Sequence, residues 1–341
     1  MERVLVTGAG GYIGTTLVPL LLEEGYRVRA LDRYFFGNNL LPKEERIEVI
    51  REDSRKITEK TLEGVDCVID LVALSNDPSG ELFQKATMQV NYESRVHTAQ
   101  LAKKMGVKRY ILPSSCSLYG FQKEGVIASE ESPTNPLTTY AKANEKAERG
   151  ILPLADNKFC VTVLRQATVY GYSPRMRFDL AVNGMTYGAW KTGKLPLMRD
   201  GKQWRPMVHV KDTTKAMYLM LQSEPSLING QIFNVGSEEN NYQIGQLAEI
   251  VAAMLPKPVQ IEWYGDPDHR SYRVSFKKIE KLGFKACYTA KEGALEIYRA
   301  LEEGKLDKTT QTLTLNWYQD LVKWHRIIKE VEMYGGIIDI Q

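Results

Sequence analysis

Residues 7–14 read Thr7-Gly8-Ala9-Gly10-Gly11-Tyr12-Ile13-Gly14, directly after the apolar run Val4-Leu5-Val6 and at the start of an amphipathic stretch, Ile13 to Glu24. Gly8, Gly11 and Gly14 give the spacing G-x-x-G-x-x-G at a strand-to-helix junction. Glycine permits the tight turn and lets the backbone approach a pyrophosphate closely. The helix that follows aims its free N–H groups and positive dipole end at the anion. Glycine-rich turns are common in loops; the strand before and the helix after give this one its meaning.

Working outward, the strand pattern Val28–Leu31 leads to Asp32, 18 residues after Gly14. A carboxylate there accepts both hydroxyls of an adenosine ribose and repels a 2′-phosphate, which favours NAD over NADP. Arg33 leaves the opposite preference open, since a guanidinium can accommodate that phosphate. Further strand patterns at Val65–Val72, Tyr110–Leu112 and Val161–Leu164 alternate with helical stretches, notably Glu81–Met105. The alternation implies an α/β fold, a doubly wound parallel sheet (Rossmann), with ligands bound beyond the carboxyl ends of its strands. Past about residue 173, Pro174, Pro196, Pro206, Pro256, Pro258 and Pro267 punctuate shorter elements. The expected division is residues 1–172 for the dinucleotide and 173–341 mainly for a smaller C-terminal substrate-binding region and tail. A return to the main sheet is expected near 205–236, where Ile232–Val235 reads as a strand. The tail holds an amphipathic stretch, Trp317–Val331, before Gly335-Gly336.

Composition narrows the function classes. Forty-five basic and 42 acidic residues leave a formal charge of +3, too balanced for a nucleic-acid binder. Cys67, Cys116, Cys160 and Cys287 are scattered without a CxxC pair, as expected of reduced thiols in a cytoplasmic protein with no metal site. No apolar run approaches the ~20 residues of a membrane span, and no signal-peptide pattern precedes the first strand. A soluble protein is expected.

The glycine spacing resembles that of extended short-chain dehydrogenases, especially the NAD-dependent sugar-nucleotide epimerase/dehydratase family, and further motifs follow in order. Asp53-Ser54 stands where the family contacts adenine. Leu71-Val72-Ala73 ends the fourth strand beside the cofactor, and Val90-Asn91 resembles the family's helix asparagine. Ser114-Ser115-Cys116-Ser117-Leu118-Tyr119-Gly120 is similar to its serine/threonine loop, and Tyr140-Ala141-Lys142 to its catalytic tyrosine segment. Leu164-Arg165 through Thr168-Val169-Tyr170-Gly171, then Arg205 and Val208-His209-Val210-Lys211-Asp212, extend the resemblance over roughly residues 1–300.

The resemblance implies NAD held by Gly8, Gly11, Tyr12, Ile13, Gly14, Asp32, Arg33, Asp53, Ser54, Leu71, Val72, Ala73 and Asn91. It implies a nucleotide-sugar substrate contacted by Thr168, Asn183, Arg205 and Arg270, the two arginines holding its diphosphate. Tyr140 would be the base and Ser115 the group that orients the sugar hydroxyl. It also implies a homodimer joined through the helices of Glu81–Met105 and Tyr140–Gly150.

Two departures qualify the resemblance. The family motif Y-x-x-x-K calls for lysine at 144, where this chain has Asn144. That lysine normally lowers the tyrosine pKa from about 10. Lys142 lies about 200° around a helix from Tyr140 and should face elsewhere, and Lys146 is nearly two turns along. Asn144 is therefore expected to limit catalysis, and Asn144→Lys to raise the rate at neutral pH. The second departure is Cys116-Ser117, standing where 4,6-dehydratases carry Asp-Glu, which points away from water elimination. An acid/base role for Cys116 and a packed thiol are both open. The expectation is a sugar-nucleotide epimerase. Its alternatives are a sugar-nucleotide oxidoreductase and a non-catalytic NAD-binding sensor or scaffold.

Overall fold

The computed structural model describes residues 1–332 apart from Asn38, Glu124, Pro267 and His269. Gly335-Gly336 and the end of the tail lie outside the described residues. Seven parallel strands form the central sheet: β1 Arg3–Thr7, β2 Arg27–Asp32, β3 Ile47–Arg51, β4 Cys67–Asp70, β5 Arg109–Ser115, β6 Cys160–Gln166 and β7 Gln231–Val235. Their order is β7-β6-β5-β4-β1-β2-β3. Strand order reverses between β1 and β4, so a crevice opens beyond Thr7 and Asp70, where a doubly wound sheet binds its ligand.

Continuous apolar runs make these strands, because both faces of the sheet are covered. Val4, Leu5 and Val6 are all fully buried, as are Val68 and Ile69. One face packs on helix α1 (Gly14–Glu23) through Leu17, Val18 and Leu21, and on Ala216, Met217 and Met220 of the helix Val210–Gln222. The other face packs on α2 (Ser94–Lys104) through Ala99 and Ala102, and on α3 (Thr139–Ile151) through Ala147 and Ile151. β3 was not anticipated from sequence. It is an edge strand in the pattern Ile-Glu-Val-Ile-Arg with none of its residues buried, so it lacks the apolar run that betrays its neighbours.

The stretch Glu81–Met105, expected as one helical pattern, is four consecutive pieces. Short helices Asp77–Leu82 and Gln84–Met88 lead into a π-helical turn, Gln89–Glu93, and then α2. The wider turn carries Asn91 into the protein; π-turns of this kind often mark functional positions.

The smaller region sits at the carboxyl end of the sheet. It joins a three-stranded sheet (Thr168–Tyr170, Trp204–His209, Asn241–Gln243) to a two-stranded one (Lys194–Met198, Gln260–Tyr264). Helices α4 (Ala181–Thr192), α5 (Ile244–Met254) and α6 (Ala290–Glu302) enclose its core of Val182, Met185, Leu195, Leu247, Val251 and Ala294. The amphipathic tail forms α7, Thr314–Val331, which lies over the loop after β2. Trp317 donates its indole N–H to the Phe35 carbonyl at 2.7 Å, and Tyr318 packs against Phe35, Phe36 and Phe83.

Candidate active site

The glycine turn is built tightly enough that two of its glycines admit no side chain. A Cβ at Gly14 would stand 2.5 Å from the Gly8 carbonyl oxygen, and one at Gly8 would meet Leu71 and Val72 backbone at 2.9 Å. Gly8 is moreover at φ +67°, and so brings β1 against the end of β4. A Cβ at Gly11 would meet only the Gly8 oxygen, at 3.1 Å. Among the described residues, no side chain caps the first turn of α1. An uncapped helix start behind a glycine turn is a fitting cradle for a pyrophosphate.

Asp32 ends β2 with its carboxylate against this turn. It accepts from the Gly10 N–H at 3.0 Å and the Tyr34 N–H at 2.7 Å, leaving lone pairs for two ribose hydroxyls. Burial pushes its pKa up, against these backbone hydrogen bonds. Arg33 turns away: it pairs with Asp53 at 3.2 Å and stacks over Phe35 at 4.5 Å. Asp53 accepts from Arg55 as well, which with Arg33 holds its carboxyl down at about 2. Ser54 is buried beside Ser94 at 3.3 Å. Leu71, Val72 and Ala73 form the half-buried loop after β4. Asn91 pins the following turn, accepting from the Leu74 N–H at 2.8 Å and donating to its carbonyl at 3.1 Å. Tyr12 is buried with its hydroxyl donating to the Gly171 carbonyl at 2.6 Å, and Ile13 packs beside it.

Tyr140 opens α3, whose start Thr138 caps by accepting from the Ala141 N–H at 3.2 Å. Ser115 ends β5, accepts from the Ser117 N–H at 3.1 Å, and lies near enough to the Tyr140 phenol to favour its ionised form. The sheet and α3 thus bring Tyr140 and Ser115 together at the carboxyl end of the strands. Lys142 and Lys146 are both exposed, and Lys146 lies over the Tyr92 ring at 5.7 Å. Asn144 is buried: it donates to the Tyr140 carbonyl at 2.9 Å and accepts from Arg95 at 2.9 Å. One turn on, Glu148 meets Arg165 of β6 at 2.7 Å in a buried ion pair and accepts from Ser114, which locks α3 onto the sheet.

One expected role needs correcting, that of Asn183; Cys116 takes the second of its two open readings, and Arg205 and Arg270 are each paired with a carboxylate. Cys116 is a packed thiol rather than an acid/base group: it is buried, its Sγ donates to the Arg165 carbonyl at 3.2 Å, and burial pushes its pKa upward. Asn183 does not face a substrate. It is fully buried and spends its amide on Tyr12 Oη, the Arg177 carbonyl and the Gly171 N–H, bracing the turn after Tyr170. Arg205 and Arg270 are not free cations: both pair with Asp268 at 2.7 Å, and Arg270 also pairs with Asp77. Thr168 is half-buried on the strand beside Met207.

Several polar residues at this crevice escaped sequence analysis. Arg95 is one, fully enclosed between α2, α3 and the end of β4. Its signal was helical spacing: it lies four residues after Asn91, on the same face. Arg177 is buried in a bidentate pair with Asp179 at 2.8 and 3.0 Å. Arg175 lies over Phe36 at 3.6 Å with its Nε unpartnered among the described residues, and its backbone N–H meets Thr15 of α1. Burial and then the neighbouring Arg177 weigh against its charge, so an anion at the glycine turn would be its natural partner. Ser117, already marked by the Cys116-Ser117 departure, has its Oγ likewise unpartnered among the described residues.

Residues 4–236 match the NAD dependent epimerase/dehydratase family. The chain belongs to that family. It is accordingly an NAD-dependent enzyme, and the geometry of the glycine turn and Asp32 suits that cofactor. Family relatives include the "Uncharacterized UDP-glucose epimerase YtcB" of Bacillus subtilis, 29% identical over 70% of this chain and 77% of that protein. A putative UDP-glucose 4-epimerase of Methanocaldococcus jannaschii is 25% identical over 85% of this chain and 95% of its own length. Among solved structures, MoeE5 in complex with UDP-glucuronic acid and NAD is 25% identical with a TM-score of 0.79, covering 89% of this chain and 100% of its own. Among the described residues, no helix is long and apolar enough to cross a membrane and no group of side chains could hold a metal ion.

Proposed function

We propose that the protein is a sugar-nucleotide epimerase that transiently oxidises a hydroxyl-bearing carbon of a uridine-diphosphate-linked hexose or hexuronic acid. The observation that carries this is the Tyr140–Ser115 pair, set beside a glycine turn and Asp32 suited to NAD. The names of the relatives support uridine as the base and an epimer as the product.

When bound, NAD supplies an acceptor for the hydride of the oxidised carbon. Ser115 Oγ hydrogen-bonds the sugar hydroxyl and aligns it with Tyr140. Tyr140 Oη takes the hydroxyl proton as the carbon–hydrogen bond is broken, and returns it after the keto-sugar has presented its other face. Asp32 holds the adenosine ribose, the first turn of α1 and Arg175 hold the pyrophosphate, and Asn91 fixes the loop that closes the crevice. Arg205 and Arg270 can reach a substrate diphosphate if Asp268 gives way to it. Cys116-Ser117 offers no acid–base pair for eliminating water, which weighs against dehydration. A homodimer joined through α2 and α3 belongs to this proposal and is checked by light scattering.

The test begins with native mass spectrometry of the purified protein, which should find NAD. Incubation with UDP-, GDP-, CDP- and dTDP-sugars should then convert one UDP-sugar to its epimer, a conversion that Tyr140→Phe abolishes. Stoichiometric release of reduced cofactor would instead make the protein an oxidoreductase. Bound NAD with every sugar unchanged would make it a sensor.

A further inference from the structure

We propose that Arg95, held in place by Asn144, supplies the positive charge that steadies the Tyr140 phenolate, in the role a lysine at position 144 would otherwise fill. This rests on Tyr140 being the base.

The placement is unusual for an arginine. The buried stripe of α2 and the turn before it runs Asn91, Ser94, Arg95, Thr98, Ala99 and Ala102, small residues apart from this one long cation. Arg95 is 2% exposed and, among the described residues, its guanidinium donates only to neutral oxygens: the Val72 carbonyl at 2.9 Å, Asn144 Oδ1 at 2.9 Å and the Asp70 carbonyl at 3.4 Å. The Asp70 carboxylate faces the hydroxyls of Thr7 and Tyr110 instead. Burying a guanidinium without a carboxylate is costly, and a purely structural role would be better served by apolar packing. Arg165, the other arginine buried against α3, is neutralised by Glu148. Arg95 sets its guanidinium, with no carboxylate partner among the described residues, between the loop at Val72 and the helix that carries Tyr140.

Asn144 suits this arrangement better than lysine would. Its amide N–H holds the Tyr140 carbonyl while its oxygen takes the guanidinium, two tasks of opposite polarity that one amide performs. A lysine there would set a second cation against Arg95.

The charged and polar groups facing Tyr140 come from every surrounding element. Burial raises its pKa and is the largest influence; Arg95 from α2 lowers it and is the largest of the opposing charges. Asp77 raises it but is itself paired with Arg270; Ser115 lowers it by hydrogen bonding, and Arg177, paired with Asp179, lowers it less. The net direction is upward, so losing Arg95 would move the phenol further from ionising near neutral pH.

The experiment is a pH titration of the Tyr140 ring by NMR of isotope-labelled tyrosine, with the resonance assigned by Tyr140→Phe. It needs no substrate, so it stands even if every sugar tried proves inert. Arg95→Met should shift the titration upward by about one unit or more, and Arg95→Lys should stay near the parent. Arg95→Met/Asn144→Lys, which moves the cation to the other helix, should return toward the parent. Where a sugar is turned over, the acid limb of kcat should shift in the same order, with KM little changed. A folded Arg95→Met whose Tyr140 titrates as in the parent would overturn the proposal. If Arg95→Met does not fold, the double variant decides: a titration well above the parent would overturn it too.

Discussion

At position 144 the sequence analysis and the structure part company. The missing lysine was legible; its replacement was not, because Arg95 lies 49 residues earlier in the chain and meets Asn144 only when α2 packs on α3. The expected gain from Asn144→Lys therefore reverses. With Arg95 already buried there, the added cation should lower the thermal midpoint and the rate together, and scanning calorimetry beside the assay checks both. Asp32 and Arg33 show a reading that sequence left open and the fold narrows. Asp32 is fixed by its own turn, and the pairing of Arg33 with Asp53 leaves Asp32 to face the ribose. Isothermal titration should accordingly show clear preference for NAD⁺ over NADP⁺; equal or tighter NADP⁺ binding would show that Arg33 turns to the phosphate. Cys116 gives a third residue-scale outcome. Cys67, Cys116 and Cys160 are buried and Cys287 is exposed, so a thiol reagent should label Cys287 alone in the native state. Cys116→Ala should keep activity within a few-fold.

At the scale of the element, the apolar runs marked six of the seven strands of the central sheet and failed there for β3, whose open edge removes the pattern. Motif spacing put Tyr140 on α3 and Ser115 at the end of β5, yet nothing local in sequence says how α3 is anchored. That anchor is the buried pair of Glu148 and Arg165, joined by Ser114. Removing the carboxylate strands a buried guanidinium, so Glu148→Gln should cost about 3–5 kcal/mol of stability, read as a lower midpoint in urea. α6 is tied down differently. Glu296 meets His209 at 2.9 Å and also Lys211; although burial opposes its charge, these two partners hold its pKa down at about 2. A carboxyl whose folded pKa lies below its unfolded value of about 4.3 contributes stability above that pH and loses it as pH falls toward 2. Glu296→Gln should therefore flatten the loss of stability in this window, followed by thermal melts across acidic pH.

For the whole molecule, the doubly wound sheet and its switch point follow from the alternation of strand and helix patterns, whereas the smaller region, made of short strands and paired charges, was legible only in outline. Arg205 and Arg270 show why: Asp268, which pairs with both of them, joins residues 63 positions apart in the chain as well as near neighbours. What remains is an NAD-dependent enzyme in which Tyr140 and Ser115 lie together at the carboxyl end of the sheet, with α7 lying over the loop after Asp32. The most direct test of the proposed activity is one NMR time course. The NAD-loaded protein is mixed with each UDP-sugar in turn, while the absorbance of reduced nicotinamide is followed in the same sample. The account predicts that one sugar equilibrates with its epimer while reduced nicotinamide never exceeds the enzyme concentration. A single oxidised sugar product, formed mole for mole with reduced nicotinamide, would contradict it.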